Sequence, residues 1–287
     1  MTDNQIEILR NKVNQIQAIT NDQWLSSLED RKKKELEFHN KDRDPDFVEE
    51  ANKDQDTFEK FYGNKKYYQT TKLSVDYIDH WIEKNSRDKI CLDYACGNGI
   101  YAFKMAKSNP KLVLGLDISD ISINNCVRIS KEENLDQDTL FFQSDCENTM
   151  LPDSSIDVLI CSGMLHHLDL TKAFPEMLRI LKPGGKVLAI EALDYNPAIK
   201  LYRMLTPDMR TEWEKAHILS LKDIKYAKEF FEIGQVKYWH VTSYIAGKFP
   251  SLLKILNLLD SILTKIPLIR LMAWIFTFEL IKPKEES

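Results

Sequence analysis

Acidic side chains recur where short apolar runs of this 287-residue sequence end, the placement needed to hold a cation or to accept from hydroxyl groups. The run Ile90–Tyr94 contains Asp93 and leads into Ala95-Cys96-Gly97-Asn98-Gly99. Leu112–Asp117 ends on Asp117, 24 residues after Asp93, where a carboxylate can accept both hydroxyls of a ribose. Thr139–Gln143 is followed by Ser144-Asp145-Cys146-Glu147, and Lys186–Glu191 ends on Glu191. A fourth run, Ile156–Cys161, opens instead into Ser162-Gly163-Met164-Leu165-His166-His167. Glycines at a strand-to-helix turn let a ligand approach the backbone closely. Asp93 just before them would repel a phosphate and suits an ammonium or sulfonium, and the turn lacks the full three-glycine dinucleotide fingerprint. An imidazole that titrates near neutrality suits general-base work toward a hydroxyl. His166 is therefore the expected base, with Glu191 orienting it or accepting its proton and His167 as the second candidate.

These residues need elements that bring strand ends together. From Ile90 to about Glu191 short apolar runs alternate with helical stretches at roughly 101–107, 119–133 and 171–180. Strands alternating with helices imply right-handed crossovers and a parallel sheet covered on both faces, with ligands beyond the carboxyl ends of the strands. Upstream, residues 1–66 carry 27 charged side chains, and Ile6, Leu9, Val13, Ile16 and Ile19 recur at helical spacing. A second helix is expected over Asp22–Phe38; neither helix can bury a core alone, so the region should pack on, or cover, a domain starting near Lys72.

After Glu191 a helical stretch over 197–231 is placed to cap the site, with Tyr195, Tyr202, Arg203 and Arg210 as candidate acceptor contacts; two arginines would suit a carboxylate or phosphate. A strand is expected over Gln235–Tyr244 and a last one over 273–281. Between them, 249–270 is too rich in leucine and isoleucine for one narrow stripe. It is expected to be buried against the cap or in a homodimer, with peripheral membrane contact and a lipid-like acceptor as the alternative.

Composition bounds the rest. With 43% hydrophobic and 29% charged residues the chain is globular, and a net charge of −5 offers no basic excess for nucleic acid, so no nucleic-acid partner is expected. Five irregularly spaced cysteines fit reduced, buried thiols in a cytoplasmic protein. No signal peptide or membrane-spanning run is visible, and the absence of Cys-x-x-Cys or His-x-x-x-His spacing predicts no metal site.

Four ordered segments, LDYACGNG (92–99), GLDIS (115–119), QSDCENTMLPDSSIDVLICSGMLHHL (143–168) and MLRILKPGGKVLAIEAL (177–193), resemble the class I S-adenosylmethionine-dependent methyltransferases, close to the methyltransferase type 11 small-molecule subgroup. The resemblance covers about residues 67–193 and implies a Rossmann-like α/β fold: seven strands, mostly parallel, the last antiparallel. Together with the helical reading of the flanks, this divides the chain into a helical extension or lid over 1–71 and a methyltransferase domain over 72–287, with helical insertions at about 195–231 and 245–271. S-adenosylmethionine is the implied cofactor, leaving as S-adenosylhomocysteine. Gly97 and Gly99 would lie against its methionine part, Asp93 near its amino group, Asp117 on the ribose, and Ile118 on an adenine face. Asp145 would accept from the exocyclic amine, the Cys146 backbone would serve a ring nitrogen, and Tyr68 would meet the carboxylate. Ser162 joins this set, as does Ala95, which replaces the family's usual first glycine. The implied activity is methyl transfer to a small metabolite or glycan-like acceptor, at oxygen because a His-plus-acid pair answers a need for proton removal. Transfer to nitrogen or carbon, and a non-catalytic cofactor-binding partner of the same fold, are the alternatives.

Overall fold

The computed structural model describes residues 2–284. Six helices precede the sheet domain: α1 Thr2–Gln17, α2 Asn21–Ser27, α3 Asp30–Arg43, α4 Pro45–Lys53, α5 Gln55–Tyr62 and α6 Lys65–Tyr68. The domain then runs α7 Lys72–Ser86, β1 Ile90–Tyr94, α8 Ile100–Ala106, β2 Leu112–Asp117, α9 Asp120–Glu132, β3 Thr139–Gln143 and β4 Ile156–Ser162. It continues with α10 Leu170–Ile180, β5 Leu181–Ala192, the cap helices α11 Pro197–Leu205, α12 Glu212–Ala216 and α13 Leu221–Ala227, β6 Glu232–Trp239, α14 Leu253–Leu263 and β7 Ile275–Ile281.

The seven strands lie in the order β3-β2-β1-β4-β5-β7-β6. β7 alone runs antiparallel to its neighbours β5 and β6, so the expected class I sheet is present. Every residue of β1 and β2 is buried, because helices cover both faces. Ile90, Leu92 and Tyr94 point to the face packed by α1, α10 and α13, whereas Cys91 points to the face packed by α7, α8 and α9. Strand order reverses between β1 and β4, and the crevice beyond their carboxyl ends is where such sheets bind ligands.

The amino-terminal helices both stack on the sheet and reach over its strand ends. Leu9, Val13 and Ile16 of α1 are buried in the same cluster as Leu114, Leu116 and Phe142, and Gln17 Nε2 donates to the Phe141 carbonyl at 3.0 Å. The single helix expected over Asp22–Phe38 is two: α2 and α3 break at Leu28, whose extended backbone turns its side chain in against Trp24 and Leu36.

Three other expectations need correction. The stretch 197–231 is not one helix: Pro207 lacks an amide donor, and Thr211 and Ser220 cap new starts by accepting from the Glu214 and Lys222 amides. β6 ends at Trp239 rather than Tyr244, because His240 adopts φ 63° and turns the chain inward. The leucine-rich helix α14 is not buried around much of its circumference. Only Leu256 and Asp260 are buried: Asp260 accepts from the Thr242 and Ser243 amides, and that anchorage leaves Ile255, Leu258, Leu259 and Ile262 in solvent.

Candidate active site

Each candidate acid at the ends of β1, β2 and β3 accepts from backbone amides of a neighbouring turn or helix start. Asp93 is buried, and its Oδ2 accepts from the Ala102 amide of α8 at 2.8 Å. Burial pushes its carboxyl up to about 7, with the Ala102 hydrogen bond opposing and the Asp117 charge adding to the rise. Asp117 accepts from the Gly97 amide at 2.8 Å and the Ser119 amide at 2.9 Å, which locks the glycine turn onto the end of β2. Asp145 accepts from the Glu147 amide at 2.8 Å. The turn itself needs left-handed backbone: φ is 52° at Gly97, 80° at Gly99 and 57° at Ala95. A Cβ at Gly99 would lie 2.7 Å from the Phe103 ring, whereas Ala95 bears its methyl in a conformation that L-residues disfavour. The Cys146 carbonyl accepts from the Tyr94 hydroxyl, and its thiol, like those of the other four cysteines, is buried and unpaired with another cysteine.

Cations from α3 meet these carboxylates. Arg43 Nη1 lies 3.2 and 3.3 Å from the two oxygens of Asp117, and its guanidinium sits against Gly97. Lys32 Nζ lies 2.6 Å from Asp145 Oδ2 and 2.8 Å from Glu147 Oε2. Burial works against the Lys32 charge, and hydrogen bonds to Asp145 and Glu147 outweigh it, so its pKa is raised. Ile118, the expected adenine contact, packs against the cluster of Trp24, Leu28 and Leu36. Residues 93–99, 117, 118, 145 and 146 therefore lie outside the large cavity, beneath the amino-terminal helices.

That cavity, about 830 Å³, opens at the ends of β4 and β5, and Tyr68 and Ser162 line it, as do His166, His167 and Glu191. His166 Nδ1 lies 2.6 Å from Glu191 Oε2, while Glu191 Oε1 accepts from the Met164 and Leu165 amides at 2.9 and 2.7 Å. Those amides leave Glu191 one oxygen, so it fixes both the loop after β4 and the ring that the loop carries. Since a carboxylate only accepts, Nδ1 is the donor, and in the neutral ring Nε2 keeps the lone pair; Glu214 Oε1 lies 3.8 Å from Nε2. Burial alone would lower the His166 pKa; Glu191, with a smaller share from Glu214, outweighs it and raises the value above the ordinary imidazole range. His167 Nδ1 pairs with Glu35 Oε2 of α3 at 2.9 Å, facing away from Glu191.

Among the acceptor candidates, Tyr202, Arg203 and Arg210 line the cavity. Arg210 Nη1 donates to the Thr206 carbonyl at 2.8 Å, whereas Arg203 Nη1 is buried with no hydrogen-bond partner. Tyr195 does not line it: its hydroxyl accepts from the Leu221 amide at 3.2 Å and ties α13 to the chain after β5, a packing role. Sequence reasoning missed Arg31, Glu35, His39 and Arg43 of α3. Their signal was present as polar residues at four-residue intervals, one stripe of a helix, but a search for apolar stripes passes over it. It also missed Glu214. Although spacing along the chain predicts no metal site, folding brings ligand atoms of Glu35, His39 and His167, and of His166, His167 and Glu214, within 4.8 Å of one another in each group.

A family profile described as "Methyltransferase domain" matches residues 92–189, which span β1 to β5. The chain is 30% identical over 119 residues to the 27-O-demethylrifamycin SV methyltransferase of Amycolatopsis mediterranei, covering 41% of this chain and 43% of that protein. It is 27% identical over 202 residues to the tRNA U34 carboxymethyltransferase of Nautilia profundicola, covering 63% of this chain and 61% of that one. The match thus spans less than half of the first relative and under two thirds of the second. Geranyl diphosphate C-methyltransferase from Streptomyces coelicolor, solved with Mg2+, geranyl-S-thiolodiphosphate and S-adenosyl-L-homocysteine, superimposes with a TM-score of 0.55 at 14% identity, over 72% of this chain and 76% of that one. Identity that low carries the fold alone. By its sheet, its ordered motifs and the profile match, the chain carries a class I S-adenosylmethionine-dependent methyltransferase domain.

Proposed function

We propose that the chain transfers the methyl group of S-adenosylmethionine to an oxygen of a small amphipathic acceptor, with His166 as the general base. The carrying observation is the His166–Glu191 pair at 2.6 Å on the wall of a large cavity at the ends of β4 and β5. The residues around the glycine turn suit a cationic sulfur nucleoside by their buried acid and open glycine backbone, and Arg43 and Lys32, which now occupy Asp117 and Asp145, must yield those oxygens to the ribose and adenine. Asp93, Gly97 and Gly99 would hold its methionine part, Asp117 the ribose, Ile118 and Asp145 the adenine, with Ala95, the Cys146 backbone, Ser162 and Tyr68 at its margins. When bound, that cofactor supplies an electrophilic methyl with its own leaving group. The chain's own residues then have a narrow task of alignment and proton removal. His166 Nε2 takes the proton of the acceptor hydroxyl, while Glu191 holds Nδ1–H and, with Glu214, stabilises the imidazolium that forms. Arg203, whose Nη1 makes no hydrogen bond and has Asp194 only at 4.0 Å, supports an anionic group on the acceptor, and the Tyr202 and Trp274 rings support an apolar body.

The test is transfer of isotope-labelled methyl from S-adenosylmethionine into a cell extract, with mass spectrometry of the labelled product. Label on an oxygen, with turnover lowered by about 10²-fold or more in His166→Ala at unchanged cofactor affinity, is expected. Cofactor binding without any labelled product would assign the chain to a non-catalytic role, and an unaltered rate in His166→Ala would remove the base.

A further inference from the structure

More than half of the large apolar side chains that stand exposed among the described residues lie between Ile245 and Leu268. Phe249, Ile255, Leu258, Ile262 and Leu268 are each more than half exposed. Along α14, residues 255, 258, 259 and 262 follow the spacing of one helical stripe, so they form a continuous band adjoining the anchored side of Leu256 and Asp260. The charges of this segment are one-sided. Lys248, Lys254, Lys265 and Arg270 are exposed, and the sole acid between 244 and 272, Asp260, is buried and bonded to Thr242 and Ser243. This is a cationic, apolar surface on a chain of net charge −5.

We propose that the surface formed by residues 245–270 docks onto an anionic lipid bilayer, with the α14 band entering the headgroup boundary and the four cations meeting lipid phosphates. A helix with one strongly apolar face and basic flanks lies in the plane of the interface. No described helix is long and apolar enough to cross a membrane, so the attachment is peripheral. A second copy of the chain is a poorer occupant. A two-fold interface brings each patch against itself, setting cations against cations with no exposed carboxylate in the segment to answer them. Ile245 and Lys248 also line the cavity, so docking sets its mouth beside the lipid. An acceptor drawn from the bilayer then has a direct path toward His166, a consequence that rests on the proposed methyl transfer; the docking itself does not.

The experiment is flotation of the purified full-length protein with vesicles of phosphatidylcholine alone or mixed with phosphatidylglycerol, without cofactor or acceptor. Binding to the anionic vesicles at least about tenfold stronger than to the neutral ones, weakening as salt rises, is expected. Each surface cation contributes about fivefold, so Lys254→Glu with Lys265→Glu should lower binding by more than about tenfold. Leu258→Ser with Ile262→Ser should abolish flotation while circular dichroism stays unchanged, since both side chains are exposed. Equal flotation of the charge-reversed and parent proteins, or no flotation with either vesicle, overturns the proposal. So does a dimer by light scattering that Leu258→Ser dissociates, which would assign the band to a second copy. Cofactor binding measured on the same preparation is independent of all these outcomes, so a failed docking test and a failed methyl-transfer test are told apart.

Discussion

Burial pushes the Asp93 carboxyl up to about 7 from its ordinary 3.8, so in that window the folded chain keeps a proton that the unfolded chain has released. Stability then falls as pH climbs from about 4 to about 7, because the unfolded state binds fewer protons. Asp93→Asn removes the penalty. Its gain in Tm over the parent should therefore grow between about pH 5 and about pH 8 in thermal melts without cofactor, while affinity for S-adenosylmethionine falls as the charge is lost; a gain independent of pH would refute the buried-acid account. Asp117→Ala should weaken cofactor binding by about 1–3 kcal/mol, the scale of lost hydrogen bonds to a charged group, as read by calorimetry. The His166 pKa stands above its ordinary value chiefly because Glu191 outweighs burial. As the base must be neutral, kcat/KM should rise with pH through that raised value. Glu191→Gln, which removes the raising charge, should move the limb to lower pH, and an unmoved limb would separate Glu191 from the ring's titration.

Helices with apolar stripes sit in opposite environments, and that decides what they contribute. Leu9 of α1 has no exposed surface and packs with β-strand residues, so Leu9→Ala should cost about 2–5 kcal/mol in urea unfolding. Leu258 of α14 is exposed, so Leu258→Ala should stay within about 0.5 kcal/mol. Both residues belong to periodic apolar patterns, and nothing local tells the inward stripe from the outward one. In α14 the answer came from Asp260, an acid that faces inward because two amides of the preceding turn await it. The strands β1, β2 and β3 were legible to the residue, because runs buried on both faces admit few other readings. Helix α3 was legible only in part. Its inner face is polar, and a polar stripe satisfied by a neighbouring site looks, along the chain, like one satisfied by water.

At the scale of the molecule, the extension and the sheet share one core. Leu9, Val13 and Ile16 lie in the same buried cluster as Tyr94, Leu114 and Phe174, while Trp24 of α2 joins Leu28 and Leu36 beside Ile118. Helices α1 to α3 are therefore packed as part of the sheet domain. Tryptophan fluorescence, which reports Trp24 of the extension together with Trp81, Trp213, Trp239 and Trp274, and far-ultraviolet circular dichroism should trace coincident denaturant curves. An early fluorescence phase that is present in the parent and lost in Trp24→Phe would show that the extension melts alone. Saturating S-adenosylmethionine at a hundred times its Kd should add about 2.7 kcal/mol to stability.

By itself the sequence determined the alternation of strands and helices, the acids at the strand ends, and the histidine pair after β4. These follow from local rules, a period of two against 3.6 and a turn that only small residues can make. Only the tertiary structure decided which charges meet. Arg43 reaches Asp117 across 74 positions, Lys32 reaches Asp145 across 113, and Glu35 reaches His167 across 132. It also decided that Tyr195 supports the cap instead of lining the cavity, and that α14 faces outward. Such pairings depend on how separate elements pack, and packing is settled by the whole core at once, so no stretch of chain carries the information alone.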